Sequence, residues 1–491
     1  MTRRLKRVDT LLILLLSACV GRVWLMPLPS SLWVDELVTV FVVRYPGDPS
    51  FAVAPQVPLS LYYWLPRISF ALFGNSEIAL RLPSIVAMAA ALFFIARLAA
   101  RLIHPAAAWF AVFAALAFRN FDYFAVDARP YGLGVAVGTA SVLFLIRWLD
   151  DARLRDAAVF VLLAALLWRV HLFYWPFYLL YPIYAAIRLA RRDTAVKAWQ
   201  ACLAGAAIAV ALAPVAQTAL SIAREGALHK FNELPTLRNL FYLAHGFPIL
   251  ISLVVMAAIG RTARASKRKP VRGIALTLIL AWWLVCPLCL FFYSRLSGNG
   301  VLIMRYASLM LPGIALTVTA IIARTLPADS WKHAAICMAC VAIALTGDWP
   351  HLWPSHEHDD WRGAAAFERT VAVDSTPILC PSPFIEAVPP VWRPDYPFPS
   401  FLYSHLQFYS LNGRLRLFPF KPSSESNEYL QSLLATELMP AGKFVTYGST
   451  WSVQALDRWF AGRPEMTRWH KESARFDSLS VVVYRPLSSQ P

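Results

Sequence analysis

Long apolar stretches alternate along the chain with short polar connections, and that rhythm sets the expected architecture. A run of about 20 apolar residues is the length that crosses a bilayer as a helix. Such runs predict about eleven spans, at roughly 10–27, 79–97, 104–120, 132–149, 157–170, 172–188, 199–221, 240–260, 273–293, 303–323 and 333–348. The third and fifth are short, which a bundle tolerates where neighbouring helices shield them from lipid. Leu59 to Phe73 is amphipathic, with Tyr62, Tyr63 and Trp64 at headgroup depth, and reads as a helix lying in the membrane interface. From about residue 349 the pattern changes: Pro, Trp and polar residues rise, and no run is long enough to span. Helical periodicity at Trp361–Thr370 and Asn427–Leu438, with β-rich runs at Pro377–Cys380, Lys443–Tyr447 and Leu479–Tyr484, predicts a small α/β domain. The expected division is a membrane domain over 1–348, with a first outer loop at 28–78, and a soluble domain over 349–491. No internal repeat is evident, which weakens the reading of a carrier built from repeated halves.

Composition agrees with that class. Of 491 residues, 58% are hydrophobic and 15% charged, with a mean hydropathy of +0.51, the balance of a polytopic membrane protein. A net charge of +17 would admit nucleic acid as a partner, but its distribution excludes that class. Basic residues fall in alternate loops: Arg3, Arg4, Lys6 and Arg7; Arg97 and Arg101; Arg153 and Arg155; Arg188, Arg191, Arg192 and Lys197; Arg261, Arg264, Lys267, Arg268 and Lys269; Arg324 and Lys332. With eleven spans all of these lie on one side, which the positive-inside rule makes cytoplasmic. The N-terminus is then inside and the C-terminal domain outside the inner (plasma) membrane. No small-residue cleavage site precedes Trp33, so the first apolar run reads as a retained signal anchor. Cys286/Cys289 and Cys337/Cys340 lie inside apolar spans and read as packing residues. Cys380 is the one cysteine expected outside, so no intrachain disulfide is expected there.

The candidate chemistry lies at the outer helix ends. Asp35 and Glu36 follow the first span in Leu32-Trp33-Val34-Asp35-Glu36-Leu37. Acids at a membrane edge commonly face a cavity or partner; a solvated acidic loop is the other reading. A second outer turn reads Tyr123-Phe124-Ala125-Val126-Asp127-Ala128-Arg129-Pro130-Tyr131, and a third holds Met304-Arg305-Tyr306. His171, at another outer turn, is either part of an aromatic belt or a substrate contact. His351, His356 and His358, with Glu357, Asp359 and Asp360, match no zinc motif and read as a polar linker, Asp360 capping the helix that starts at Trp361. A lipid-linked sugar phosphate suits such a site, because its prenyl tail dissolves only in the bilayer. Transfer needs a base for the acceptor proton, a cation for the leaving phosphate, and exclusion of water. Asp35 or Glu36 fits the base, and Arg129 and Arg305 fit a clamp in which a planar guanidinium binds two oxygens.

In this order the motifs resemble the GT-C glycosyltransferases that use polyprenyl-phosphate sugars, near bacterial relatives of the protein O-mannosyltransferases and the lipid A aminoarabinose transferases. The matching pieces are Asp35-Glu36, Pro58-Leu59 leading into Tyr62-Tyr63, Leu72-Phe73-Gly74-Asn75-Ser76-Glu77, Leu80-Arg81-Leu82-Pro83-Ser84, Asp127-Ala128-Arg129-Pro130-Tyr131, Arg305-Tyr306 and Asp360-Trp361-Arg362. The resemblance implies a GT-C-like polytopic α-helical membrane protein with a small C-terminal extracytoplasmic α/β domain. It implies an inverting transferase that moves a sugar from a polyprenyl phosphate to an acceptor outside the cytoplasm, whether glycolipid, polysaccharide or protein. Asp35 would be base or acceptor contact with Glu36 beside it, and Asp127 the acidic residue of the second outer turn. Arg129, Tyr131, Arg305 and Tyr306 would meet the donor phosphate, with Gln56, Arg81 and His171 as candidate substrate contacts. Where relatives often carry Lys or His before Pro-Pro, this chain has Gln56-Val57-Pro58, so Arg129 and Arg305 would carry more of the phosphate's charge. No metal or other cofactor is expected, because adjacent acids point about 100° apart on a helix and chelate one ion poorly. Two other functions fit the same class of chain: a carrier or flippase for a lipid-linked saccharide, and a non-catalytic envelope assembly protein.

Overall fold

The computed structural model describes residues 2–53, 57–225, 233–262, 271–384, 387, 400–419, 421 and 423–487. Contacts divide the chain into two compact units. One comprises Met1–Leu28, Leu59–Leu65 and Arg81–Pro354; the other comprises Pro29–Pro58, Pro66–Leu80 and Ser355–Pro491. The last break between the units falls after Pro354, and residues 29–58 and 66–80 group with the C-terminal residues. Long-range contact of this kind leaves no trace in local periodicity.

The first unit is helical and apolar. Among the described residues, five helices are long and apolar enough to cross a membrane: Val8–Leu25, Glu77–Leu102, Pro130–Asp151, Ala198–Leu220 and Gly273–Ser297. Leu237–Leu243 and Gly246–Ala258, bent by 63°, make a sixth if taken as one span. The remaining predicted spans are apolar but short. Pro105–Leu116, Ser308–Ala323 and Trp331–Thr346 fall below spanning length, as does Leu154–Val170. The predicted span at 172–188 begins as a 3-10 segment, Leu172–Leu179, and continues as Leu180–Ala190. Shielding by neighbours explains how short helices are kept: every residue from Phe110 to Leu116 is buried, and so is every residue from Leu311 to Ala320.

Polar side chains in this unit tie helix ends. Arg22 donates to the carbonyls of Gly347 and Leu352 at 2.7 Å, of Asp348 at 2.9 Å, and of His351. It thereby ties the segment that follows Trp331–Thr346 to the first helix. Arg188 pairs with Asp150 at 2.7 Å, and Asp150 also accepts from Arg101 at 2.6 Å, linking three helix ends that carry the basic loops.

The second unit is α/β. Among the described residues its five strands are β1 Pro377–Pro381, β2 Arg414–Phe418, β3 Phe444–Ser449, β4 Trp469–Phe476 and β5 Leu479–Pro486, in the order β2-β1-β3-β5-β4. β1 is parallel to β2 and β3; β5 is antiparallel to β3 and β4. Helices Trp361–Val371, Ser424–Leu433 and Thr450–Ala461 accompany the sheet. The core gathers Leu379, Phe444, Val482 and Tyr484 from strands with Leu430, Leu434 and Phe460 from helices. The three predicted strands are β1, β3 and β5, the inner ones. As expected, Asp360 caps the first helix, accepting from the Gly363 N–H at 2.9 Å. Pro29–Pro58 adds helix Val34–Arg44, whose residues Glu36 to Val43 are all buried. Together these features make the chain a polytopic α-helical membrane protein with a small C-terminal sheet domain.

The helix expected within Leu59–Phe73 is present over Trp64–Phe73, preceded by a 3-10 turn at Leu61–Tyr63. Trp64, Ile68 and Leu72, four residues apart, are all more than half exposed, an apolar stripe suited to lipid.

Candidate functional site

The predicted residues divide between the two units. In the first, helix Arg119–Val126 ends at Asp127, which takes an extended conformation and is 1% exposed. Arg129 donates its backbone N–H to the Asp127 carbonyl at 2.8 Å. Pro130 then opens the next helix at its favoured first position, and holds Arg129 extended (φ −131°, ψ 166°). The turn Asp127-Ala128-Arg129-Pro130 is therefore fixed by its own sequence. Arg129 donates to the hydroxyl of Tyr63 at 3.4 Å.

His171 gathers the rest of this half. Its ring lies 5.5 Å from Tyr131, 5.2 Å from Tyr174 and 5.2 Å from Tyr306. Tyr306 stacks on Phe173 at 4.2 Å, and the Arg305 guanidinium sits 5.6 Å from the Tyr306 ring centre. The Tyr174 hydroxyl is 2.9 Å from that of Ser308. Burial pushes the His171 imidazole down to about 3, and the positive charges of Arg129 and then Arg305 act in the same direction. His171 is thus neutral near pH 7, and both arginines act on one imidazole. Arg129, Tyr131, His171, Arg305 and Tyr306, predicted from separate stretches, are brought together. Tyr63, Tyr174 and Ser308 join them unpredicted; only Tyr63 carried a signal, as part of the aromatic first outer loop.

The second unit holds the acidic pair on the first turn of helix Val34–Arg44. Asp35 is half-buried, whereas Glu36 has no exposed surface and accepts the Trp33 backbone N–H at 3.3 Å. Carboxylates on the first turn are favoured by the helix dipole. Glu36 and His356 present a carboxylate oxygen and an imidazole nitrogen within 4.8 Å of each other, donor types that a zinc-like divalent ion takes, but two ligands are fewer than the three or four such a site uses.

Arg81 is completely buried and donates to the Leu28 carbonyl at 2.8 Å and the Pro27 carbonyl at 3.3 Å, bonds that pin the end of the first helix. Gln56 lies outside the described residues.

Residues 57–217 match the family model described as dolichyl-phosphate-mannose-protein mannosyltransferase. No curated protein matches the sequence. Among solved structures, ArnT from Cupriavidus metallidurans in the apo state matches with a TM-score of 0.57 and 12% identity, over 97% of this chain and 98% of that one. The same protein bound to undecaprenyl phosphate matches with a TM-score of 0.55 and 13% identity, over 96% and 97%. At these identities the likeness establishes the fold, along almost the whole length of both chains.

Proposed function

We propose, for a chain that has the fold of the GT-C glycosyltransferases, that it is an inverting transferase using a polyprenyl-phosphate sugar. The observation that carries this reading is the cluster around His171, whose ring lies 5.5 Å from that of Tyr131 and 5.2 Å from that of Tyr306, with the Arg305 guanidinium 5.6 Å from the Tyr306 ring centre and Arg129 two residues before Tyr131. Guanidinium groups beside such an aromatic-lined place suit a phosphate that gains charge as it leaves. A structural neighbour that holds undecaprenyl phosphate supports the same lipid class.

The acceptor hydroxyl attacks the anomeric carbon from the face opposite the phosphate. Its C–O bond forms as the bond from the anomeric carbon to the phosphate oxygen breaks, and configuration inverts. Asp35 takes the acceptor proton. The polyprenyl phosphate departs with the bonding electron pair, held by Arg129 and Arg305, with Tyr131 and Tyr306 lining the place where it sits. As a weak base it needs no general acid, unlike the leaving group of an inverting glycosidase. Asp127 supports the acceptor side, and neutral His171 offers a hydrogen bond without adding charge. The reaction as written needs no metal. The chain lies in the inner (plasma) membrane with its N-terminus cytoplasmic, as the basic loops indicate, and its second unit and acceptor lie outside.

Purified protein incubated with a labelled polyprenyl-phosphate sugar and envelope acceptors tests the reading. Label should move to an acceptor with inverted anomeric configuration. Translocation without transfer would make the chain a carrier, and binding alone would make it an assembly protein.

A further inference from the structure

Behind the acidic pair, three residues from distant stretches of the second unit meet. Glu77 Oε1 accepts from Arg362 Nη2 at 2.8 Å and from the Tyr409 hydroxyl at 2.9 Å. The Tyr409 hydroxyl oxygen accepts the backbone N–H of Leu32 at 3.0 Å. Arg362 also reaches this segment directly. Its backbone N–H donates to Ser31 Oγ at 3.2 Å, and its guanidinium donates to the Pro29 carbonyl. The His356 backbone N–H donates to Ser30 Oγ at 3.2 Å. Each of the four residues Pro29 to Leu32 is therefore held by a polar bond from the segment 356–409, and the helix bearing Asp35 starts at Val34. Leu32 has no exposed surface and Tyr409 very little. Without the tyrosine hydroxyl, the Leu32 N–H would lose a bond that water is poorly placed to replace.

We propose that Glu77, Arg362 and Tyr409 are positioning residues for Asp35. They fix the backbone entering the acid-bearing helix, so that the reacting carboxylate stays at one place when the acceptor hydroxyl arrives. The inference rests on Asp35 being the base. It gives the C-terminal residues a part in the chemical step itself, because a supporting shell sets how well a reacting group is placed. Glu77 is the hub, since one of its oxygens takes both donors. Arg362 is half exposed, so its charge is screened by solvent and its directed bonds to Glu77, Ser31 and Pro29 matter more.

Tyr409→Phe removes only the bridging hydroxyl and is the primary test. It should lower kcat by at least tenfold, approaching on the order of 10²-fold if Asp35 moves by about 1 Å, while the donor KM stays within about twofold. Glu77→Gln keeps an acceptor for Tyr409 and should retain most of the rate, whereas Glu77→Ala should fall with Tyr409→Phe. Hydrogen exchange over residues 29–37 should quicken in Tyr409→Phe and Glu77→Ala. Wild-type kcat in Tyr409→Phe overturns the proposal, and so does a lowered kcat with unchanged exchange over 29–37, or a donor KM that rises as much as kcat falls. A wild-type protein that transfers no sugar overturns the base assignment instead, whatever the exchange shows.

Discussion

Glu36 accepts the backbone N–H of Trp33, three residues before it, and so caps the helix whose first turn it shares with Asp35. The two neighbouring acids therefore have different surroundings. Glu36 is sealed and occupied with backbone, while Asp35 keeps partial access to solvent.

Asp35→Asn should lower transfer by about 10²–10⁴-fold, the usual effect of losing a general base, with expression and membrane insertion intact. Glu36→Gln keeps an oxygen for the Trp33 N–H and should cost far less. Initial rates with a labelled donor measure both. Near-normal transfer in Asp35→Asn would remove it from the chemical step.

If Arg129 and Arg305 hold the donor phosphate, Arg129→Lys and Arg305→Lys should both fail to restore full rate, because a point charge replaces a planar fork. An ordinary interfacial ion pair would be worth only about 0–1 kcal/mol and would tolerate lysine. Steady-state rates against donor concentration distinguish the two cases.

The acidic pair and Arg129 were legible in sequence because each is a charged group at an apolar helix end, where cost implies purpose. Arg81 is also a charge next to an apolar run, but its carbonyl partners, Pro27 and Leu28, come from a distant stretch that sequence pattern does not bring to it. The strands missed in sequence are the sheet's two edges. β2 carries Arg414 and Arg416, and β4 carries Lys471, Glu472 and Arg475. Charges that deter edge-to-edge pairing also erase the apolar alternation that marks a strand. Helix Val34–Arg44 was missed because it is buried on every side from Glu36 to Val43, so no polar face reveals its period.

Chelation addresses the pair Glu36 and His356. Transfer should survive EDTA, since the proposed step uses only Asp35 and the arginines. Loss of transfer that zinc restores, and that His356→Ala abolishes, would instead put an ion on these two residues.

The second unit should show two opposing pH dependences. His405 lies 4.6 Å from the Trp361 ring and 6.3 Å from that of Tyr447, and burial pushes its imidazole down from 6.5 to about 3. Unfolded chains protonate it below about 6.5, so its contribution is full above that pH and is lost as pH falls toward 3. Burial pushes Glu368, which has no exposed surface, up from 4.5 to about 7, and the sign reverses. The folded form keeps the proton longer, so this contribution is full below 4.5 and is lost as pH rises through 7. In melting curves taken across pH, His405→Phe should flatten the loss below 6.5, and Glu368→Gln should flatten the loss between 4.5 and 7. An unchanged slope in either variant would count against the corresponding group.

A reporter fused after Pro491 should be active only outside the cytoplasm. Cytoplasmic activity would overturn the placing of every outer-loop residue named above.

The four carbonyls gathered by Arg22 lie 325 to 330 positions further along the chain. At about 5–20 residues per second, ribosomes need roughly 15–65 s to make that stretch. During that interval the first helix is in the bilayer with a guanidinium that has only the nearby Met26 sulfur to meet, and Gly347 to Leu352 do not yet exist. The first segment synthesised is then among the last to settle. A chain stalled or truncated before residue 347 would lack every one of these four carbonyls.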